Sequence, residues 1–312
     1  MRMNLVARSA VLTSSLLFVP LFSIAQSAPM ASSSNSTVPS SCTTTVLSVN
    51  SNSAHQGDIF PAGVNASDAV VGLFQDLSVY AVHGYLWSSS TGEGELYDYP
   101  GAAQTVLSGI NDGGLVVGSY VDSAGNSHGF YLKNGQTTPL DVPGAADTSP
   151  AGINNQGVVV GTYDTFLGGP VTGFQMKGNT VTTIQFPGAV STYPLAVNDA
   201  GAIVGLYYDG TNDHGFMEYR GSSTKLEPPG ASSSSAAGIN NSGEIVGEYR
   251  PSVNAEGQGF TYLNGTFTSY VYPASKYTAF GGVNSLGDRT GDAITGRING
   301  SLAGPGFLLK CR

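Results

Sequence analysis

The sequence predicts an all-β fold, a six-bladed β-propeller of four-stranded antiparallel blades, and three observations support this prediction. A core phrase, Gly-Ile-Asn-x-x-Gly-x-x-Val-Gly-x-Tyr with variations, recurs about every 44 residues. Each repeat contains four short runs of strand-forming residues separated by turn signals. Two cysteines stand on either side of the whole array. The core asparagines of the six repeats are Asn65, Asn111, Asn154, Asn198, Asn240 and Asn284.

The repeat over residues 236–273 illustrates one blade. Its first two strands are separated by Asn240-Asn241-Ser242-Gly243, in which the asparagine is expected to shape a tight turn through its own side chain. Its third and fourth strands are separated by Asn264-Gly265, which predicts a type I′ hairpin because both residues tolerate positive φ. Pro273 ends the fourth strand. Four antiparallel strands in a unit of this length are typical of a propeller blade.

Some segments between strands keep a constant length and others vary. A proline at the end of the fourth strand stands at a fixed distance before the next core asparagine, as in Pro143 and Asn154. We therefore expect a fixed crossing from the outer strand of one blade to the inner strand of the next. The loop between the second and third strands varies, which makes it the place where binding specificity can lie.

The ends of the array predict how the ring closes. The sixth repeat stops after its third strand, at Cys311, whereas residues 43–49 form a spare strand directly after Cys42. We infer that this N-terminal strand completes the sixth blade and that a Cys42–Cys311 disulfide replaces the hairpin turn. Two cysteines in an exported chain are more often a bridge than free thiols.

The N-terminal residues predict export. Arg2 and Arg8 precede an apolar stretch and then small residues, so residues 1–25 are interpreted as a signal peptide. The alternative, a membrane anchor, needs about 20 apolar residues, and this stretch is too short. Residues 26–41 form a flexible Ser/Thr-rich leader, and residues 42–312 form the propeller domain. The predicted location is secreted, either extracellular or periplasmic.

Composition restricts the partners. The net charge is −9, and only 11% of the residues are charged. A negative surface repels phosphate groups and anionic membranes, which argues against nucleic acid as a partner and against membrane insertion. We expect a monomer.

Aromatic and polar residues recur together where the second strand ends. An aromatic ring beside a carboxylate can stack on a sugar, and the carboxylate can accept hydrogen bonds from the sugar hydroxyls. The alternative is that the tyrosine rings fill the space between blades and leave their hydroxyls in water. The candidate ligand-binding residues are Tyr120, Asp122, Tyr163, Asp164, Tyr207, Asp209, Tyr249 and Arg250.

No metal site or cofactor is predicted from the histidines. His83, His128 and His214 occupy the same repeat position in three different blades, so they are expected to lie far apart. The segment Asp209-Gly210-Thr211-Asn212-Asp213 is rich in oxygen ligands for Ca²⁺ but departs from the EF-hand pattern. It indicates Ca²⁺ binding only as an alternative to a simple turn.

The core phrase is followed in two repeats by the triplets His128-Gly129-Phe130 and His214-Gly215-Phe216. This combination resembles the bacterial extracellular repeats called the HAF family, and the resemblance extends over essentially all of residues 42–312. It implies an exported bacterial protein. It brings no catalytic residues.

The sequence contains no Ser/His/Asp set, no obvious pair of catalytic acids and no arginine cluster. We therefore predict a secreted, non-catalytic binding or scaffold propeller that recognises polysaccharide or a cell-surface partner. The alternative is a secreted hydrolase or lyase with its active site in the central channel. Such an active site would require side chains from different blades to converge in the folded ring.

Overall fold

The computed structural model describes residues 42–49, 57–166, 168–253, 255–298 and 301–311. The predicted signal peptide (1–25) and leader (26–41) lie outside the described residues. Within these ranges the chain forms β-strands and turns and no α-helix. Accordingly, no described segment is a helix with the length and apolar character needed to span a bilayer.

The strands form six four-stranded antiparallel sheets, which confirms the predicted six-bladed propeller. The first strand of the chain, β1 (Cys42–Val46), belongs to the last blade. Blade 1 consists of β2 (Gly57–Val64), β3 (Val70–Asp76), β4 (Ala81–Ser88) and β5 (Glu93–Tyr97). Blade 2 consists of β6 (Gln104–Ile110), β7 (Val116–Val121), β8 (Ser127–Lys133) and β9 (Gln136–Pro139). Blade 3 consists of β10 (Asp147–Ile153), β11 (Val158–Asp164), β12 (Thr172–Lys177) and β13 (Thr180–Ile184).

The second half of the ring repeats this plan. Blade 4 consists of β14 (Ser191–Val197), β15 (Ile203–Tyr208), β16 (Asp213–Tyr219) and β17 (Ser222–Leu226). Blade 5 consists of β18 (Ser233–Ile239), β19 (Ile245–Arg250), β20 (Gln258–Leu263) and β21 (Thr266–Tyr270). Blade 6 begins with β22 (Tyr277–Val283) and β23 (Arg289–Ile294), continues through the small hairpin β24 (Gly296–Ile298) and β25 (Ser301–Ala303), and ends with β26 (Gly306–Cys311).

The ring closes as the sequence predicts. In blade 6 the strand order is β22-β23-β26-β1, so the N-terminal strand supplies the missing outer strand. β1 pairs antiparallel with β26, and Cys42 lies directly opposite Cys311. The two cysteines form a disulfide. The β24–β25 hairpin, which the sequence did not indicate, lies in the connection between the second and third strands of this blade.

The core lies between the blades. The third strand of each blade carries a fully buried aromatic residue at one equivalent position: Tyr85, Phe130, Phe174, Phe216, Phe260 and Phe307. Each apolar cluster joins adjacent blades; Val117 of blade 2, for example, packs with Val142 and Phe174 of blade 3. Burying one such aromatic side chain contributes about 1.5–3 kcal/mol, so the blades stabilise one another.

One face of the ring, which we call the Asn face, carries the turn between the first and second strands of every blade. The core asparagine Oδ1 accepts a hydrogen bond from the backbone N–H four residues later, as from Val158 to Asn154 at 2.9 Å. This confirms the predicted role of these asparagines in their own turns. The same bond occurs in all six blades.

The asparagines also link the blades in a way that the sequence did not indicate. Each side-chain Nδ2 donates to the backbone carbonyl of the core asparagine in the next blade. These bonds run from Asn65 to Asn111 (3.3 Å), Asn111 to Asn154 (3.2 Å), Asn154 to Asn198 (3.0 Å), Asn198 to Asn240 (3.1 Å), Asn240 to Asn284 (3.0 Å) and Asn284 to Asn65 (3.0 Å). The result is a closed circle of six hydrogen bonds around the axis.

The opposite face, which we call the loop face, carries the variable loops and the crossings between blades. In four crossings a threonine near the start of the inner strand accepts a hydrogen bond from the backbone six residues before it, as Thr148 does from Val142 at 3.0 Å. The same bond is made by Thr105, Thr192 and Thr278. This bond holds the backbone of these four crossings in the same geometry.

Candidate functional site

In blade 2 the loop face brings three polar or aromatic side chains together. Tyr120 lies in β7, Asp122 follows that strand, and His128 lies opposite Tyr120 in β8. His128 Nε2 is 3.5 Å from Asp122 Oδ2, and its Nδ1 is 3.1 Å from Asp141 Oδ2. The ring centroids of Tyr120 and His128 are 5.3 Å apart. The predicted residues Tyr120 and Asp122 therefore converge on a histidine between two carboxylates.

Blade 4 repeats this arrangement. His214 lies opposite Tyr207 in the strand register, with ring centroids 5.3 Å apart. Its Nε2 is 3.0 Å from Asp209 Oδ2, and its Nδ1 is 3.4 Å from Glu227 Oε1. Blade 1 has a partial version, in which His83 Nδ1 contacts Asp98 at 2.8 Å.

The two loop-face aspartates are ionised and fixed in place. The backbone N–H of Asn126, with further hydrogen bonds from the Asn126 side chain, Ala124 and His128, lowers the pKa of Asp122 to about 2. The backbone N–H of Asn212, together with His214 and Thr211, lowers the pKa of Asp209 to about 2. The side chains of Asp122 and Asp209 keep 31% and 39% of their surface exposed. Both carboxylates are partly open to solvent, and both already accept hydrogen bonds from neighbouring protein groups.

The tyrosine rings next to these aspartates stack on protein groups. Tyr120 stacks on Tyr99 with centroids 3.8 Å apart, and Tyr207 stacks on Phe186 with centroids 3.9 Å apart. Tyr99 and Phe186 both belong to the crossing from the preceding blade. The rings thus occupy the space between blades, and the other face of Tyr120 is turned to His128.

The candidate residues of blades 3 and 5 are arranged differently. Tyr163 packs edge-on against Phe174, and Asp164 is only 3% exposed and lies opposite Asp147. Tyr249 is also buried, and its hydroxyl is hydrogen-bonded to Gln258 and Ser269 at 2.9 and 2.7 Å.

Blade 5 also lacks the histidine. Arg250 lies opposite Ser233 at the end of β19. The structure therefore does not bring these four residues together as it does Tyr120 with Asp122 and Tyr207 with Asp209.

A group of acids that sequence reasoning missed lies at the inner strands of blades 5, 6 and 1. Burial, together with the nearby carboxylates of Glu248 and Asp58, raises the pKa of Asp292 to about 8. Burial also raises the pKa of Glu248, which is opposed by a hydrogen bond to Tyr277. Asp58 and Tyr277 are 6% and 5% exposed.

A signal for this group was present in the repeat. The residue after the second-strand glycine is uncharged in four blades and acidic in blades 5 and 6; the six residues are Leu73, Ser119, Thr162, Leu206, Glu248 and Asp292. An acid at a repeat position that is otherwise uncharged marks a departure from what the fold alone requires.

Potential metal ligands are sparse. Across the described ranges, no group of three or more His, Cys, Asp or Glu side chains is arranged to hold an ion. In the 209–213 segment, Asp209 Oδ1 accepts from the backbone N–H groups of Thr211 (2.7 Å) and Asn212 (2.9 Å), and its Oδ2 contacts His214. The protein itself therefore occupies the carboxylate that a cation would need there.

The fold is similar to that of several solved structures. One is TolB from Acinetobacter baumannii, with a TM-score of 0.51 and 17% identity over 68% of this chain and 53% of that chain. Another is the β-propeller domain of the Trilobed protease from Pyrococcus furiosus, with a TM-score of 0.48 and 7% identity over 77% of this chain and 91% of that chain. A third is the Aleuria aurantia lectin in complex with Fucα1-6GlcNAc, with a TM-score of 0.45 and 10% identity over 76% of this chain and 88% of that chain.

The strand arrangement described above defines the class of fold. This chain is a six-bladed β-propeller protein, and it spans about half the length of the TolB chain that it matches. No protein-family model and no curated protein sequence matches it. The resemblance to HAF repeats therefore stays a prediction.

Proposed function

We propose that this protein is a secreted, non-catalytic binding propeller that recognises a neutral, hydroxyl-rich polysaccharide at a cell surface through its loop face. The observation that carries the proposal is the repetition of one polar arrangement in blades 2 and 4. In both, an exposed ionised aspartate lies beside a histidine. Asn126 and His128 hydrogen-bond to Asp122, and Asn212 and His214 hydrogen-bond to Asp209. Groups fixed before the ligand arrives bind with a smaller entropic cost.

The chemistry of these two sites suits sugar hydroxyls. A hydroxyl group can donate to a carboxylate and accept from a ring N–H. Asp122, Asp209 and His128 are partly exposed, whereas His214 is buried behind Asp209. Hydrogen bonds to ionised groups contribute about 1.5–3 kcal/mol, more than neutral ones. The net charge of −9 and the acidic sites repel sulfated or uronic-acid polymers. This charge favours neutral or amino-sugar polymers over anionic ones.

The position of the sites favours a repetitive ligand. Blades 2 and 4 are two steps apart in a ring of six, so both sites present the same groups on one rigid face. A polymer that engages both sites binds more tightly than a single unit, because the second contact is intramolecular. Export is supported by the predicted signal peptide and by the disulfide, which persists in oxidising compartments.

The test is binding of the purified protein to an array of neutral, amino-sugar and anionic glycans, followed by calorimetry. Asp122→Asn and Asp209→Asn are each expected to weaken binding about tenfold, and the double variant to abolish it. Asp112→Asn removes the same charge from the exposed Asn face and serves as the matched control. Binding that survives in the double variant, or that is lost equally in the control, would contradict the proposal.

One observation favours a second candidate, a hydrolase or lyase in the central channel. Asp292 has a pKa of about 8 and lies near Glu248 and Asp58, and acids with raised pKa values occur at catalytic sites. The test is turnover of polysaccharide and ester substrates by the purified protein. Activity that is lost in Asp292→Asn would support this candidate over a purely binding role.

A further inference from the structure

A small cavity on the loop face of blade 3 lies among oxygen-bearing side chains that the proposed polysaccharide sites do not use. Asp147 begins β10 and Asp164 ends β11, and the two residues lie directly opposite each other. Ser149 and Thr162 are paired two residues further along, so these four side chains share one face of the sheet. The cavity has room for about one water-sized particle. It is lined by Asp147, Ser149, Thr162, Tyr163, Asp164 and Val171.

The two carboxyl groups of this cavity are buried and incompletely satisfied. Asp147 and Asp164 are 7% and 3% exposed. Asp147 Oδ1 accepts a hydrogen bond from the Ser127 backbone N–H at 2.5 Å. Asp164 Oδ1 is fully buried and has no hydrogen-bond partner in the part of the chain that the structure describes. The two carboxyl groups are also within hydrogen-bonding contact of each other. When both are ionised, like charges lie directly opposite each other in the sheet, and a bound cation would remove that repulsion.

We propose that this cavity binds one Ca²⁺ ion through the carboxylates of Asp147 and Asp164. The hydroxyls of Ser149 and Thr162 line the same cavity and supply further oxygen ligands. The side-chain ligands are all oxygen, which selects hard cations over Zn²⁺ or Cu²⁺. Two carboxylates balance the charge of a divalent ion. Ca²⁺ accepts the irregular geometry of two facing strands, whereas Mg²⁺ demands a near-ideal octahedron.

This site differs from the oxygen-rich 209–213 segment. There the aspartate oxygens already contact N–H donors, as described above, whereas Asp164 Oδ1 is left without one. Near Asp292, Glu248 Oε2 is likewise buried without a hydrogen-bond partner among the described residues. The difference is that the Glu248 carboxyl group is hydrogen-bonded to Tyr277, whereas the Asp147 and Asp164 side chains line a cavity. The blade 3 cavity is therefore where a cation would satisfy an oxygen that the described protein groups leave unpaired.

The experiment is calorimetric titration of Ca²⁺ into the purified, metal-free full chain, with terbium luminescence sensitised by the nearby tyrosine as a second readout. Ca²⁺ is expected to bind one site with a Kd on the order of 10⁻⁴–10⁻³ M, the range of extracellular modules. Asp164→Asn and Asp147→Asn are each expected to lower the affinity about tenfold or more, since each removes a charged ligand. Asp112→Asn and Asp209→Asn are expected to change it less than about twofold.

Circular dichroism of each variant separates loss of the site from loss of the fold. Asparagine preserves the shape of the side chain, so both variants should keep the spectrum of the parent. Absence of saturable Ca²⁺ binding to the parent chain would overturn the proposal. Affinity that is unchanged in folded Asp164→Asn, or that is lost equally in Asp112→Asn, would overturn it as well.

Discussion

The two faces of the ring differ in how strictly they repeat. On the Asn face, all six blades make the same bonds within the turn and to the next blade. On the loop face, blades 2 and 4 carry an Asp–His pair and blade 3 a buried acid pair. The acids Glu248 and Asp292 lie within the inner strands of blades 5 and 6. A bond that closes a ring must be made by every blade, whereas a ligand needs groups from only some blades. Positions that repeat therefore explain the fold, and positions that differ are where function should be sought.

The largest effect on stability is expected at the seam of the ring. The double variant Cys42→Ser with Cys311→Ser removes the bond that joins residues 269 positions apart. We expect the free energy of unfolding in urea to fall by about 2–5 kcal/mol, with glycan binding by the folded protein unchanged. A double variant that is as stable as the parent would show that the pairing of β1 with β26 holds the seam alone.

The second prediction concerns Asp292, an acid within an inner strand of blade 6 whose ionised form opposes stability. The pKa of Asp292 is raised from 3.8 to about 8 in the folded chain, so between these pH values the folded state binds a proton that the unfolded state has lost. The free energy of unfolding should therefore fall as the pH rises from about 4 to 8, by a few kcal/mol at most.

The neutral variant Asp292→Asn should lose this pH dependence and be more stable than the parent at pH 8. Urea denaturation at several pH values measures the difference. A parallel decline in both proteins would contradict the assignment to Asp292.

The third prediction tests the circle of bonds on the Asn face. Asn154 is 5% exposed; its Oδ1 accepts from Gln156 and Val158, and its Nδ2 donates to Asn198. Asn154→Ala leaves these buried groups without partners and should cost about 1–3 kcal/mol of unfolding free energy, with glycan binding unchanged.

The matched control is the neighbouring Asn155→Ala, because Asn155 is exposed and its partners can turn to water. An equal loss in both variants would mean that the buried circle is not what distinguishes the Asn face.

The smallest effect is expected at one crossing of the loop face. Ala274 has φ of +59°, where the equivalent crossings have a glycine, as at Gly101 and Gly144. An alanine at positive φ carries a steric cost of about 1–2 kcal/mol, which glycine relieves. Part of this gain in stability is offset because glycine has more conformational freedom in the unfolded chain. Ala274→Gly should raise the unfolding free energy by about 0.5–1 kcal/mol, measured in urea. A loss of stability would indicate that the Ala274 methyl group contributes packing.

Sequence alone predicts the parts of this fold that depend on neighbouring residues. Asn264-Gly265 has positive φ at both positions, as the type I′ turn requires. The disulfide was also predictable, because two cysteines at the edges of an incomplete array have a geometric reason to meet.

The bonds between blades were not predictable in the same way. The Nδ2 group of Asn154 contacts a residue 44 positions away. Burial, together with the carboxylates of Glu248 and Asp58 in the two adjacent blades, raises the pKa of Asp292. A local pattern cannot show which side chains the ring brings together. Asp122 and Asp209 are exposed, whereas Asp164 is buried. This difference likewise depends on packing across strands.

The shared sixth blade also has a consequence for the order of folding. β1 is made first and its partner β26 last, and the contact between them has one of the longest sequence separations in the protein. While the chain is being synthesised, β1 therefore has no partner strand and its edge stays open to wrong pairing. Blades 1 to 5 can assemble from local hairpins, but the ring closes only in the last step, when β1 pairs with β26. A chaperone that covers β1 until β26 is available would act at the stage when wrong pairing of this strand is most favoured.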